Sequence, residues 1–127
     1  MASSVTNSMP EAGDYLYKGE AISHEDEKSQ LQQLTVENAV EIGIDPIIPV
    51  YVIQHESGWD VDAVGDHGAA VGCAQFHKPT FEEMKQKANL PLLQYKSCGD
   101  QIILMEWAIK NNLGDRWTTY RKFMAIQ

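Results

Sequence analysis

Apolar residues recur at helical spacing in five segments of the chain, and the first segment runs from about Glu25 to Gly43. Its apolar positions lie two to four residues apart, which gives a helix one usable apolar face. They are Leu31, Leu34, Val36, Ala39, Val40 and Ile42. Gly43 predicts the end of this helix, because glycine readily adopts the left-handed backbone conformation that commonly follows the last helical turn.

A second helix is predicted over residues 46–57, and it carries a glutamate near its end. Asp45 is placed to cap it, with Pro46 at the first helical position. On a helical projection, Glu56 shares a face with apolar residues three, four and seven positions earlier. They are Ile53, Val52 and Pro49. A carboxyl on that buried face loses solvation and opposes the helix dipole, so we expect its pKa to rise from about 4.3 towards roughly 6 to 7. The alternative is a side chain that simply reaches solvent.

Three further helices are predicted in the second half of the chain. Thr80 and Glu83 fit a capping box at the start of the third helix. Asp100 is expected to cap the fourth, over residues 101–112, which is apolar almost all round and therefore typical of the centre of a small bundle. Gly114 is expected to end it. The fifth segment is short and amphipathic, with Trp117, Tyr120, Arg121 and Met124. No segment alternates convincingly like a strand, so the predicted fold class is mainly α.

Length and composition indicate one small folded domain. The chain has 127 residues, of which 43% are hydrophobic. Residues 1–27 are poor in apolar side chains and are expected to form a flexible lead or linker, which leaves residues 28–127 as the domain. Neither a signal-peptide pattern nor an apolar run long enough to span a membrane is found. The net charge of −8 argues against nucleic acid as a partner, because its binders gather Lys and Arg on one face.

The loop after the second helix is rich in residues that can bind metals, but their spacing does not fit a metal site. The acidic residues are Asp60, Asp62 and Asp66, and the histidines nearby are His55, His67 and His77. An EF-hand needs a glutamate at its twelfth position, which is Val71 when counted from Asp60. The His-Glu-x-x-His spacing of zinc enzymes is also absent. We therefore expect no metal and no cofactor, with the aspartates forming turns and caps.

Two cysteines leave two alternatives open. If Cys73 and Cys98 are joined, closing the loop between them would contribute about 3.5 kcal/mol in the chain-entropy description. If they are not, Cys73 is expected to be a buried free thiol. A cysteine nucleophile is not expected, because nothing around Cys73 resembles a cysteine-protease motif.

From Glu56 onwards the sequence resembles the signature of soluble lytic transglycosylases, a family of the lysozyme-like superfamily. The matching runs are ESGWD at residues 56–60, DAVGD at 62–66 and GAAVGCAQF at 68–76. The family pattern reads approximately E-S-x-F/W-x-x-x-A-V, then G-A-x-G-L-M-Q. The resemblance covers residues 37–127 and rests on the order of a glutamate, an Ala-Val pair and a glycine-rich run that ends in glutamine. It implies a mainly α, lysozyme-like domain with room for a short β-hairpin after the catalytic helix.

The resemblance also implies a reaction and a set of site residues. Glu56 would be the general acid and then the base in cleavage of the β-1,4 bond between N-acetylmuramic acid and N-acetylglucosamine, leaving 1,6-anhydro ends. Gln75 and Ser57 match motif positions and are expected to hold substrate or the local turn. Phe76, His77 and Tyr120 are expected to line a sugar groove, with Trp59 as another candidate stacking platform. The implied partner is peptidoglycan, and the implied location is the cell envelope, periplasmic or extracellular.

Two departures from the family pattern keep alternatives open. Cys73 and Ala74 replace the usual Leu-Met pair, and the late Y-N-A-G motif is missing. Tyr120 is the candidate to replace the lost tyrosine that steadies the catalytic carboxyl. Hydrolysis instead of ring closure would need a second carboxylate, taken from the loop aspartates, to hold a water opposite Glu56. The other alternative is a catalytically silent glycan-binding or scaffold module on the same fold.

Overall fold

The computed structural model describes residues 23–127, and residues 1–22 lie outside the described part. Within that part the chain forms five α-helices. They are α1 (His24–Ile42), α2 (Ile47–Glu56), α3 (Lys78–Ala88), α4 (Cys98–Lys110) and α5 (Thr118–Ala125). The predicted lead, residues 1–27, falls mostly outside the described part, and its proposed boundary lies inside α1. Ser23 caps the start of α1, because its hydroxyl accepts the Asp26 N–H. Among residues 23–127, we find no helix that is both long and apolar enough to cross a membrane.

The junction between α1 and α2 is set by local sequence. Gly43 has a φ of 87°, in the left-handed region, and ends α1 as predicted. The Asp45 carboxylate accepts the Ile47 N–H at 3.1 Å, and Pro46 lies at the entry to α2 with a helical φ of −58°. The Asp45 hydrogen bond forms as predicted, whereas the helix begins at Ile47, one residue later than predicted, with Pro46 at its N-cap position. This short turn leads into α2, whose last residue, Glu56, lies beside the loop that follows.

Helix α4 lies at the centre of the fold and packs against α1, α2 and α3. Its fully buried apolar side chains are Ile102, Leu104, Met105 and Ala108. Burying a large apolar side chain stabilises a fold by about 1.5 to 3 kcal/mol, so this helix is a main source of stability. The predicted central position is confirmed. The buried surface of this helix is less uniformly apolar than predicted, because it also includes the fully buried side chains of Gln101 and Glu106.

Two predicted helix starts are wrong. Helix α3 begins at Lys78, ahead of Thr80, because Pro79 suits a first helical turn; the capping box does not form, and the Glu83 carboxylate accepts hydrogen bonds from Lys87 and Arg116 instead. Helix α4 begins at Cys98, capped by Ser97, whose hydroxyl accepts the Asp100 N–H at 3.2 Å. The Asp100 carboxylate accepts a different N–H, that of Gln94, at 2.8 Å.

A small antiparallel sheet follows α2. Its strands are β1 (Val64–Gly65), β2 (Ala70–Val71) and β3 (Phe76–His77). They are ordered β1-β2-β3, and Val71 pairs with Val64 on one side and with Phe76 on the other. A 3₁₀ turn, Asp66–Gly68, lies between β1 and β2. The expected mainly α fold with a short hairpin after Glu56 is therefore confirmed.

A disulfide joins Cys73 to Cys98, with their Cα atoms 5.3 Å apart. Of the two alternatives that the sequence left open, the structure has the bridged one. Cys73 follows β2 and Cys98 is the first residue of α4, so the bond ties the sheet to the central helix. It thereby fixes the segment that leads into Gln75.

Candidate active site

A groove of about 280 Å³ opens beside the C-terminal end of α2. It is lined from four parts of the fold: the end of α2, the sheet, the start of α3 and the segment that leads into α5. The polar side chains on its walls are Glu56, Asp66, Gln75, His77, Thr80, Arg116 and Thr118. Phe76 and Trp117 supply apolar surface. Several predicted site residues, which are distant in sequence, thus meet in one place.

Glu56 is half-buried in this groove, and its carboxyl has one firm hydrogen bond. The Thr119 hydroxyl donates to Oε2 at 2.6 Å. Burial raises the pKa of Glu56 above its ordinary value, the negative charge of Asp66 raises it further, and the Thr119 hydrogen bond lowers it in part. The pKa shift has the predicted direction, and the half-buried carboxyl also reaches the solvent of the groove.

Aromatic packing between α2 and α5 places Thr119 beside Glu56. The rings of Tyr51 on α2 and Phe123 on α5 lie with their centroids 4.6 Å apart, and Phe123 is buried. Phe123 follows Thr119 by four residues, one helical turn away on the same side of α5. Because Thr119 and Phe123 lie on the same face of α5, this contact turns the Thr119 hydroxyl towards Glu56.

A second carboxyl reaches the groove through an unusual backbone turn. Asp66 and His67 have φ values of 50° and 57°, both in the left-handed region that non-glycine residues seldom adopt. The turn carries the Asp66 carboxylate to His77, whose Nε2 lies 2.8 Å from Oδ2. Asp60 and Asp62 are not among the residues that line the groove. The Asp60 carboxylate instead accepts the Asp62 N–H at 2.9 Å, which confirms the turn-forming role expected of it.

Gln75 holds the loop rather than projecting freely into the groove. Its Nε2 donates to the carbonyl oxygens of Ala63 at 3.1 Å and Gly72 at 2.9 Å. Its Oε1 packs against Gly65, where an added Cβ would lie only 2.5 Å away. A side chain at position 65 would therefore displace the Gln75 amide. Of the two roles expected for Gln75, positioning the loop is the one these contacts support.

Ser57, Trp59 and Tyr120 lie outside the groove. The Ser57 hydroxyl accepts the Trp59 N–H at 3.1 Å and so fixes the turn after α2, as expected. The Trp59 indole is buried and donates to Gln54 Oε1 at 2.9 Å. Tyr120 packs against Gly114, where a Cβ would lie 2.8 Å from its ring. None of the three lines the wall that holds Glu56, so the predicted sugar-lining role of Tyr120 and the candidate stacking role of Trp59 are not supported.

Phe76 forms an apolar floor with its neighbours. It is only 1% exposed, and its ring meets the rings of Phe81 and Trp117 edge to face, at centroid distances of 5.3 and 5.1 Å. Its carbonyl oxygen accepts the Tyr95 hydroxyl at 2.7 Å. The structure thus gives Phe76 a mainly supporting position, whereas His77 beside it is exposed on the wall.

Sequence reasoning missed Thr119, Arg116 and Gln101. A hydrogen bond to the Glu56 carboxyl was expected from Tyr120, but the preceding residue, Thr119, donates it. Only the rotation of α5 about its own axis determines which of the two residues faces Glu56. Gln101 is a buried polar anchor: its Nε2 donates to the carbonyl oxygens of Val71 and Tyr95 at 2.9 and 2.8 Å. Its Oε1 accepts the Ala74 N–H at 3.0 Å. The available signal was a polar residue at the start of an otherwise apolar run, Ile102 to Met105.

Within residues 23–127, no group of three or more histidine, cysteine, aspartate or glutamate side chains is placed to hold a metal ion. No protein-family model, curated protein or solved structure matches this chain.

Proposed function

We propose that this chain is a peptidoglycan lytic transglycosylase that uses Glu56 as general acid and then as base. The observation that carries the proposal is the Glu56 carboxyl itself. It ends an apolar helix, faces a groove, and has a pKa raised by burial. A carboxyl that remains protonated nearer neutral pH is what protonation of a glycosidic oxygen requires.

In the proposed reaction, Glu56 gives its proton to the glycosidic oxygen as the bond from that oxygen to C1 of the muramoyl sugar breaks. The electron pair leaves with the oxygen, and the sugar's own N-acetyl carbonyl stabilises the positive charge at C1. The Glu56 carboxylate then takes the proton of the 6-hydroxyl, and O6 bonds to C1. The ring closes without water, and Glu56 is protonated again. The Thr119 hydroxyl, 2.6 Å from Oε2, would hold the carboxyl in one orientation through both steps.

The disulfide supports the proposed location. Such bonds persist in oxidising compartments and are rare in reducing ones. Cys73 and Cys98 are joined, and the bond ties together the segment that carries the groove. A periplasmic or extracellular site of action, where peptidoglycan lies, agrees with this chemistry.

Asp66 favours a second candidate, a hydrolytic muramidase. Glycosidases that use water need an acid with a raised pKa and a second carboxylate across the scissile bond. Asp66 lines the same groove as Glu56, is largely exposed and is hydrogen-bonded to His77. Held there, its carboxylate could orient a water molecule. In that reaction the product would carry a reducing end instead of an anhydro ring.

Digestion of purified peptidoglycan, followed by mass spectrometry of the released fragments, tests the proposal. We expect fragments lighter by one water that end in 1,6-anhydromuramic acid. The Glu56→Gln variant keeps the shape and the Thr119 contact but cannot give a proton, so cleavage should fall by about 10² to 10⁴-fold. Asp62→Asn is the matched control, because it removes a loop carboxylate that does not line the groove.

Each alternative predicts its own result. Reducing ends, together with loss of activity in Glu56→Gln, would select the muramidase. If folded wild-type protein leaves the glycan intact, the result would favour the catalytically silent glycan-binding or scaffold module. Full activity in Glu56→Gln would exclude Glu56 as the acid in either reaction.

A further inference from the structure

Arg116 brings a positive charge to the wall of the groove. It is the last residue of the 3₁₀ turn Gly114–Arg116, directly before Trp117, and it lines the groove together with Glu56 and Thr118. Its side chain is 40% exposed. The proposed acid–base chemistry of Glu56 does not use this guanidinium, so its position on the groove wall is not explained by that chemistry.

The charge of Arg116 is only partly neutralised by its neighbours. One terminal nitrogen of its guanidinium lies 3.2 Å from Glu83 Oε2, and the same oxygen accepts Lys87 Nζ at 2.9 Å. These hydrogen bonds hold the pKa of Glu83 below its ordinary value, so Glu83 stays ionised. One carboxylate thus faces two cations, and the group keeps one net positive charge. This is notable in a chain whose net charge is −8.

The geometry of this group suits an anion that approaches along the groove. Arginine has five donors in a planar fork, and the Glu83 contact occupies one terminal nitrogen. Glu83 also restricts the motion of the side chain, which lowers the entropic cost of ordering it around a ligand. A carboxylate is the anion that the fork fits best, through two parallel hydrogen bonds.

We propose that Arg116 recognises a carboxylate on the glycan substrate and so selects muramic-acid-containing strands over neutral ones. This inference rests on the proposed function for the identity of the glycan. The carboxylate has two possible sources: the lactyl group of a muramic acid without its peptide, or the peptide attached to an intact muramic acid. A neutral polymer of N-acetylglucosamine has neither.

Binding to the Glu56→Gln variant tests the inference without turnover. Three tetrasaccharide probes are compared by calorimetry: alternating N-acetylglucosamine and N-acetylmuramic acid with stem peptides, the same glycan after enzymatic removal of the peptides, and tetra-N-acetylchitotetraose. Arg116→Gln is added in the Glu56→Gln background, and Arg116→Lys keeps the charge but removes the fork. Lys122→Gln is the matched control, since it removes one positive charge from an exposed α5 residue that does not line the groove.

We expect Arg116→Gln to weaken the binding of carboxylate-bearing glycans by roughly tenfold. Binding of the neutral tetrasaccharide should weaken by a clearly smaller factor. Arg116→Lys should recover part of the preference, whereas Lys122→Gln should leave all three affinities unchanged. A loss confined to the probe with peptides would identify the peptide carboxylates. A loss confined to the stripped glycan would identify the lactyl carboxylate, and a loss on both would show that Arg116 accepts a carboxylate from either source.

Two results would overturn the inference. One is an equal loss on all three probes, which would mean that Arg116 only supports the groove. The other is no binding of any probe by the parent variant. Failure of the proposed function gives a different result: the wild-type protein would leave peptidoglycan uncut while carboxylate-dependent binding through Arg116 persisted.

Discussion

At the scale of single residues, the charge state of Glu56 depends on a balance of three neighbouring effects. Burial and the Asp66 charge raise the pKa of its carboxyl, and the Thr119 hydrogen bond lowers it. Because Thr119 stabilises the carboxylate form, removing its hydroxyl should raise the pKa further. Under the proposed mechanism, the free protein is active only while Glu56 is protonated, so its activity is lost as pH rises through this pKa.

We therefore expect Thr119→Val to move the alkaline limb of the pH profile of kcat/KM to higher pH. Valine has nearly the shape of threonine but cannot donate the 2.6 Å hydrogen bond to Oε2. Thr119→Ser keeps a hydroxyl and should keep the limb close to its wild-type position. The measurement is the initial rate of glycan cleavage across pH. A limb that stays in place or moves to lower pH in Thr119→Val would contradict this account.

The candidate site was predictable where one local pattern determines a position, and unpredictable where two distant elements meet. The face of Glu56 follows from the apolar residues Val52 and Ile53 in its own helix, and both are fully buried. Thr119 comes from α5, and its place beside Glu56 depends on how α5 packs against α2. The resemblance to the family pattern selected Tyr120 for that contact, one residue too late, because a tyrosine hydroxyl was the expected group.

At the scale of elements, local signals predicted some helix ends and not others. Gly43 and Asp45 act through their own backbone and immediate neighbours, and both act as predicted. Thr80 and Asp100 also have residue types that favour caps. Nearby competitors displaced them, Pro79 in the first turn of α3 and Ser97 ahead of α4. The strands have two residues each and show no alternation, so the hairpin was expected only from the family resemblance and not from the pattern of the strands themselves.

The disulfide is an element-scale feature with a large expected effect on stability. It joins residues 25 positions apart and ties the sheet to α4. Replacing both cysteines by alanine should lower the free energy of unfolding by about 3.5 kcal/mol, because the unfolded chain regains the entropy of the open loop. Denaturant titration at fixed pH measures the change.

A reducing agent provides the control for this prediction. It should destabilise the wild-type protein and leave the double alanine variant unaffected. A double variant as stable as the oxidised wild-type protein would show that the bond contributes little. The sequence alone could not choose the bridged state, because the choice depends on the Cα separation of Cys73 and Cys98, which the fold sets at 5.3 Å.

At the scale of the whole molecule, periodicity predicted the layout but not its buried polar groups. A set of five helices with an apolar one at the centre follows from the spacing of apolar residues, and residues 23–127 have this arrangement. Gln101 and Glu106 lie within the same apolar run and are nevertheless fully buried. Gln101 is satisfied by three hydrogen bonds to the backbone. Glu106 is not fully satisfied, and this should affect the stability of the entire fold.

Glu106 lies between α4 and α1 with one partner on the facing helix. Asn38 Nδ2 donates to Oε1 at 2.7 Å, whereas Oε2 is buried and has no hydrogen-bond partner within the described residues. Burial raises the pKa of Glu106 to about 7, against the weaker opposing effect of Asn38. In the unfolded chain the same carboxyl ionises near its ordinary value. The group therefore favours the folded state fully at low pH, and this contribution is lost as pH rises towards and through about 7.

We expect the free energy of unfolding to fall between pH 5 and pH 8, with roughly 2 to 3 kcal/mol of the decrease due to Glu106. Glu106→Gln stays neutral and can still accept from Asn38, so it should remove this part of the pH dependence and be the more stable protein at pH 8. Glu41→Gln is the matched control, a glutamate exposed on α1. Glu56 also has a raised pKa and adds to the wild-type slope, so the informative quantity is the difference between wild type and Glu106→Gln. Equal slopes in these two proteins, measured by urea titration across pH, would show that Glu106 ionises in the folded state as readily as it does in water.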